Sequence, residues 1–262
     1  MSPSTATGDR ARYRAARLLL DAPTLAAVAA LGLGAAVIGG LGGFGTGVIL
    51  AAALAPLIGV KALVPVLAVA GVIINAGRFW FYRAHVNRAA LAVMLAAALP
   101  FLVLGAWLYS VLDVRVIGTI LGLAVMGSVP LRRLLRRRAV VLRTPGLAAG
   151  AAVFGFSSGI ATGTGVIQIS LLLSAGLAGP AVLATDALST IVLDLCKAAL
   201  FQRFDLLDAE AAATGAVIGF ATLPGSALAA WLSTRIGAKL HVLFMETLIL
   251  LGGASMLWYA WR

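Results

Sequence analysis

Eight apolar stretches, at approximately 24–58, 62–82, 89–111, 116–130, 145–177, 180–201, 210–232 and 239–261, occupy nearly all of the chain. A helix needs about 20 residues to cross a hydrocarbon core of about 30 Å, and lipid admits only structures that pair their own backbone N–H and C=O groups. Such stretches leave no room for a soluble domain. The expected fold is an all-α polytopic membrane protein with about eight membrane crossings. The composition agrees, with 62% apolar and 11% charged residues, against roughly 45–50% and about 25% in soluble domains.

The formal charge of +11 lies between the apolar stretches, which is the positive-inside pattern of a membrane protein, and no nucleic-acid partner is expected. Residues 1–20 read as a basic tail with Arg10, Arg12, Arg14 and Arg17; the apolar run after them continues to about residue 58, so no cleaved signal is expected. The run "RRLLRRR" at 132–138, followed by Arg143, leaves four stretches on each side. The expected organisation is a cytoplasmic tail (1–20), a first transmembrane repeat (21–131), a basic cytoplasmic linker (132–145) and a second repeat (146–262). Eight crossings put fourteen basic residues inside: the four tail arginines, Arg83, Arg88, the six of 132–143, Arg203 and Arg262. Lys61, Arg115, Arg235 and Lys239 remain outside, whereas ten crossings give ten against eight. Cys196, the single cysteine, is expected to pack in the core.

Two stretches, 24–58 and 145–177, are too long for one straight helix: 35 residues reach roughly 52 Å. Each contains the pentapeptide "GTGVI", at 45–49 and 163–167, within the glycine-rich runs "GGLGGFGTG" (39–47) and "GFSSGIATGTG" (155–165). Glycine tolerates positive φ and threonine can bond a freed carbonyl, so each long stretch is expected to open its repeat as a glycine-broken helix. The "GLGGFG" at 40–45 also fits a dinucleotide fingerprint, but no strand precedes it and no acidic ribose ligand follows. Four-residue glycine spacings, as at Gly155 and Gly159, fit close helix packing. The functional alternative is a transporter site, where broken helices aim free N–H groups at an anion and Gly45, Thr46, Gly47, Gly163, Thr164 and Gly165 cradle it.

The glycine breaks, "LAPLIGVKALVPVLAVAGVIINAGRFWFYRAHVN" (54–87) and its second-half counterpart "LSAGLAGPAVLATDALSTIVLDLCKAALFQRFD" (173–205) together resemble the TauE/SafE family of sulfite and organosulfur-anion permeases. The likeness covers nearly everything after residue 24. It implies a duplicated four-helix unit that moves a small sulfur-containing anion, such as sulfite or an organosulfonate, across a bacterial inner membrane.

Ionisable residues inside spans are costly and need a reason. On a helix over 180–201, Thr190, Asp194 and Lys197 fall within about 80° of Asp186, and Ser189 flanks that stripe. Asp194 and Lys197 could form a structural pair at i,i+3, whereas Asp186 has no partner on its own helix and is the first choice of proton carrier. Asn75 and Arg78 align with Asp194 and Lys197 at an offset of 119. Asn75, Arg78, Ser189 and Lys197 are thus substrate-binding candidates, with snorkelling to the interface as the rival for the two cations. Asp194 and Glu246 are further proton-coupling candidates. His85 and His241 are expected at the interface, and no metal, cofactor or catalytic set is recognisable.

The expected function is a secondary transporter and not an enzyme, with lipids and a small anion as partners; association with copies of itself stays open. An anion channel and an intramembrane enzyme are the alternatives.

Overall fold

The structure, a computed structural model, describes residues 22–41, 46–137, 142–232 and positions 247, 249–251, 253–255, 257, 258 and 261. The tail 1–20, Gly45, His241 and Glu246 lie outside the described residues. Every regular element among those described is helical. In chain order they are α1 (Ala22–Leu41), α2 (Thr46–Ile58), α3 (Val60–Tyr82), α4 (Arg88–Val111) and α5 (Val114–Arg137). Then come α6 (Thr144–Ile160), α7 (Gly165–Ser174), α8 (Pro180–Arg203) and α9 (Ala209–Leu232). The helical positions between 247 and 261 form α10. Among the described residues, three segments are long and apolar enough to cross a membrane: Val60–His85, Arg88–Val111 and Ala209–Leu228.

Polar residues between the greasy stretches start the helices. Asn87 accepts from Ala90 N at 3.0 Å, Asp113 from Arg115 N at 3.0 Å, and Asp208 from Ala211 N at 2.7 Å. Pro145 and Pro180 sit in the first turns of α6 and α8, where no N–H is required.

The second long stretch breaks at its glycines, at 161–164, where Ala161 is extended and Gly163 has a φ of +80°. In the first, α1 ends at Leu41 and α2 begins at Thr46, and 42–45 lie outside the described residues. The second stretch then turns back on itself. Leu142 N donates to Ser174 O at 2.6 Å, and Gly150 lies against Leu171, so α7 returns along α6 towards its start.

Small residues set the remaining registers by letting backbones approach. Gly32 faces Ile218 and Ala221 while Gly225 faces Leu33 and Ala36, so α1 and α9 run parallel. Gly215 meets Val66 and Val69, and Gly219 meets Ala70 and Ile73, which makes α3 parallel to α9 as well. Since α1 and α3 share a direction, α2 must return between them. Gly155 packs on Ala98 and Gly159 on Leu102 and Gly105, so α4 and α6 are parallel. By contrast α3 and α8 are antiparallel, with Gly71 beside Asp194 and Arg78 beside Asp186. α5 and α10 are also antiparallel, through Thr119 with Trp261, Gly122 with Leu257 and Met126 with Gly253.

Exchanging α1–α5 with α6–α10 maps α1/α9 onto α6/α4 and returns α3/α8 and α5/α10 to themselves. Such a pattern of parallel and antiparallel pairs is the one that two halves of opposite sense would give.

Candidate functional site

Two loci lie where the halves meet, one charged and one a mostly apolar cavity with a few hydroxyls. The first is the seam between α3 and α8. Arg78 Nη2 lies 2.7 Å from Asp186 Oδ2 and also donates to Asn75 Oδ1, while Asn75 Nδ2 donates to Gly71 O at 2.8 Å. The Asp186 side chain is 4% exposed and that of Arg78 is 28% exposed. Arg78 Nε is buried without a hydrogen-bond partner. Asp186 therefore has its partner on the opposite half, which the helical stripe alone could not reveal.

Further along α8, Lys197 Nζ lies 2.7 Å from Asp194 Oδ1, the i,i+3 pair its spacing allowed. The same ammonium donates to Ser158 Oγ of α6 at 3.3 Å. Lys197 is buried and does not snorkel to the surface. The Asp194 carboxylate occupies the volume that a Cβ at Gly71 would take, so a glycine on α3 is what lets this charge sit against that helix. Leaving one member of a buried pair alone is expensive, which ties the two helices to this register.

The second locus is the tip of the α6–α7 hairpin. It borders a cavity of about 390 Å³ lined by Ser157, Thr162, Gly163 and Thr164 from the tip and by Ile120, Ala124 and Gly127 of α5. Thr162 Oγ1 is buried without a hydrogen-bond partner. Thr164 stands at the N-cap of α7, where its backbone carbonyl receives Ile167 N at 2.9 Å. Across the tip, Gly163 lies against the Val48 side chain. Val48 belongs to the first "GTGVI" and Gly163 to the second, so the two copies are in contact. Thr46 opens α2, and the added methyl of an alanine at Gly47 or at Gly165 would meet open space.

Of the candidates, Asn75, Arg78 and Asp186 come together in one group and Asp194 and Lys197 in another. Gly163 and Thr164 line the cavity, whereas none of the seam residues does. Ser189 faces α7 and is engaged by Gln168 Nε2. Gly45 and Glu246 lie outside the described residues. His85 is exposed in the 3₁₀ turn Arg83–His85 between α3 and α4, beside Arg83, whose guanidinium lies 4.4 Å from the Trp80 ring centroid. Sequence reasoning passed over Gln168, Ser158, Thr162 and Gly71. The first three are visible as isolated polar residues in and just after the glycine-rich run, but nothing local marks Gly71.

These features define a class: a membrane protein, helical throughout its described residues, with a buried charged seam and two copies of a glycine motif in contact. The model of the sulfite exporter TauE/SafE family matches residues 28–256, and the chain belongs to that family of membrane transporters. No curated protein and no solved structure matches it.

Proposed function

We propose that the protein is a secondary transporter of a small sulfur-containing anion, built from two inverted repeats whose glycine-broken hairpins form the substrate site. The contact of Val48 with Gly163 beside the cavity carries this reading, because it joins the two copies of one motif at one place. Transporters of this design bind substrate where discontinuous helices of inverted repeats meet near the bilayer midplane. Here α2 and α7 would turn their N-terminal ends, with free N–H groups and positive dipole, towards the anion.

Thr46 and Thr164 would add hydroxyl donors, and Gly45, Gly47, Gly163 and Gly165 would leave the backbone open to close approach. Arg78 supports a role in charge recognition: a guanidinium with an unpaired Nε can take a second oxyanion beside Asp186. Asn75, Ser189 and Lys197 would hold the surrounding geometry, with Asp186 as proton carrier and Asp194 and Glu246 as secondary carboxylates. The repeats run from 21 to 131 and from 146 to 262, inverted, so that the tail and the basic linker emerge on opposite faces.

Uptake into proteoliposomes of sulfite, thiosulfate, sulfoacetate, taurine and sulfate tests the reading. Saturable flux of at least one of them, responsive to an imposed pH gradient and with unchanged substrate recovered inside, is expected. Non-saturable flux would identify a channel, and a chemically altered product an enzyme.

A further inference from the structure

The residue after the repeated pentapeptide differs between the copies: Leu50 follows the first and Gln168 the second. Both side chains are buried, Leu50 at 0% and Gln168 at 1% exposure. Leu50 packs into the apolar core. Gln168 instead commits its amide to α8. Its Nε2 donates to Ser189 Oγ and to Asp186 O at 3.3 Å, and its Oε1 accepts from Thr190 Oγ1 at 3.1 Å.

A buried amide stripped of partners is costly, so α7 cannot shift along α8 without breaking these bonds together. On the same turn of α7, Val166 and Ile167 line the cavity at the hairpin tip. One face of this turn thus borders the cavity, and the other is bonded to the backbone that carries the Asp186 carboxylate. The seam residues do not line the cavity; from the Arg78–Asp186 end of the seam Gln168 spans the gap to α7, while at the other end Lys197 bonds Ser158 of α6.

We infer that Gln168 is a positioning residue that ties the second hairpin to the Arg78–Asp186 pair, so that a change at the pair is felt at the tip. At the same register α2 carries Leu50, whose side chain can form no such bond. The inference rests on the proposed transport function for its meaning in turnover, but the mechanical tie can be measured without transport.

The test places a single cysteine at the tip, Thr164→Cys on a Cys196→Ser background, in the full chain reconstituted in lipid nanodiscs. Its alkylation rate is measured with and without Asp186→Asn. With Gln168 present, Asp186→Asn should change the rate by roughly threefold or more, and in Gln168→Leu the two rates should agree, as expected of sites coupled through one intermediary. Ser189→Ala combined with Thr190→Val removes the partners and spares Gln168; it should abolish the coupling equally, and it carries the test if Gln168→Leu does not fold. An undiminished response to Asp186→Asn in these variants would overturn the inference, and so would the absence of a response with Gln168 present. Uptake assays report on the transport reading separately, since a protein that moves no anion can still show or lack the coupling.

Discussion

The carboxylate of Asp194 on α8 fills the space where position 71 of α3 has no side chain. A methyl group there would displace a buried charge from its Lys197 partner, and overpacking of this kind costs about 1–3 kcal/mol. Gly71→Ala is expected to lower the melting temperature in detergent clearly, while Gly34→Ala, whose methyl meets open space, should leave it unchanged or raise it. Equal melting temperatures for the two variants would refute the close fit.

The Arg78–Asp186 pair couples charge to anion binding. A substrate anion and the Asp186 carboxylate compete for one guanidinium, so protonating Asp186 frees Arg78 and should tighten anion binding as pH falls. The other charged groups on this stripe, Asp194 and Lys197, are paired with each other. Asp186→Asn mimics the protonated state. It should bind anion at neutral pH as tightly as the wild type does at low pH, and its flux should lose its pH dependence. Arg78→Gln, which strands a buried carboxylate, is expected to cost about 3–5 kcal/mol in stability, with much of that recovered in the Arg78→Met, Asp186→Leu double variant. Binding isotherms at two pH values and thermal melts of the three variants decide this, and an Asp186→Asn protein with intact pH response would move the carrier role elsewhere.

The paired motifs make a graded prediction. Thr46→Val and Thr164→Val should each weaken anion affinity by roughly 0.5–1.5 kcal/mol with little change in melting temperature, the worth of one hydrogen bond. Gly165→Ala and Gly47→Ala have room in the protein, so their harm should fall on substrate affinity alone. Gly163→Ala should damage both, because its φ is +80° and its new methyl would overlap Val48. Threonine variants with wild-type affinity would remove the motifs from the site.

The antiparallel registers of α3 with α8 and α5 with α10 predict a topology. With Cys196 replaced, cysteines at Ser4 and Thr144 should react with a membrane-impermeant reagent from opposite faces of the membrane. Labelling of both from one face would restore the even-numbered arrangement.

The membrane class, the helical fold and the helix break at 161–164 were legible in the sequence, because apolar length and glycine content act locally. The Asp194–Lys197 pair was legible for the same reason, three residues being one turn. The Arg78–Asp186 pair and the nesting of Asp194 against Gly71 were not, since both depend on how α3 crosses α8. The return of α7 along α6 was hidden as well, because a long apolar stretch was counted as one pass. A further signal went unread, the similarity of "LPFLVLGAWL" (99–108) to "LPGSALAAWL" (223–232), which marks α4 and α9 as counterparts. Gln168 breaks the likeness between the copies, so reasoning from the likeness passed over it.

Gly59, with a φ of +79°, is the single residue between α2 and α3, whereas five residues, 175–179, join α7 to α8, with positive φ at Gly176 and Gly179. A one-residue joint leaves α2 and α3 few backbone torsions through which to move apart. The longer joint is closed by its own backbone bonds, Gly176 N to Leu173 O at 3.0 Å and Leu177 N to Leu172 O at 3.1 Å, and α7 is further tied to α8 through Gln168. Two arms that share a motif are thus hinged to their neighbours differently, one by a single glycine and the other by a closed five-residue turn.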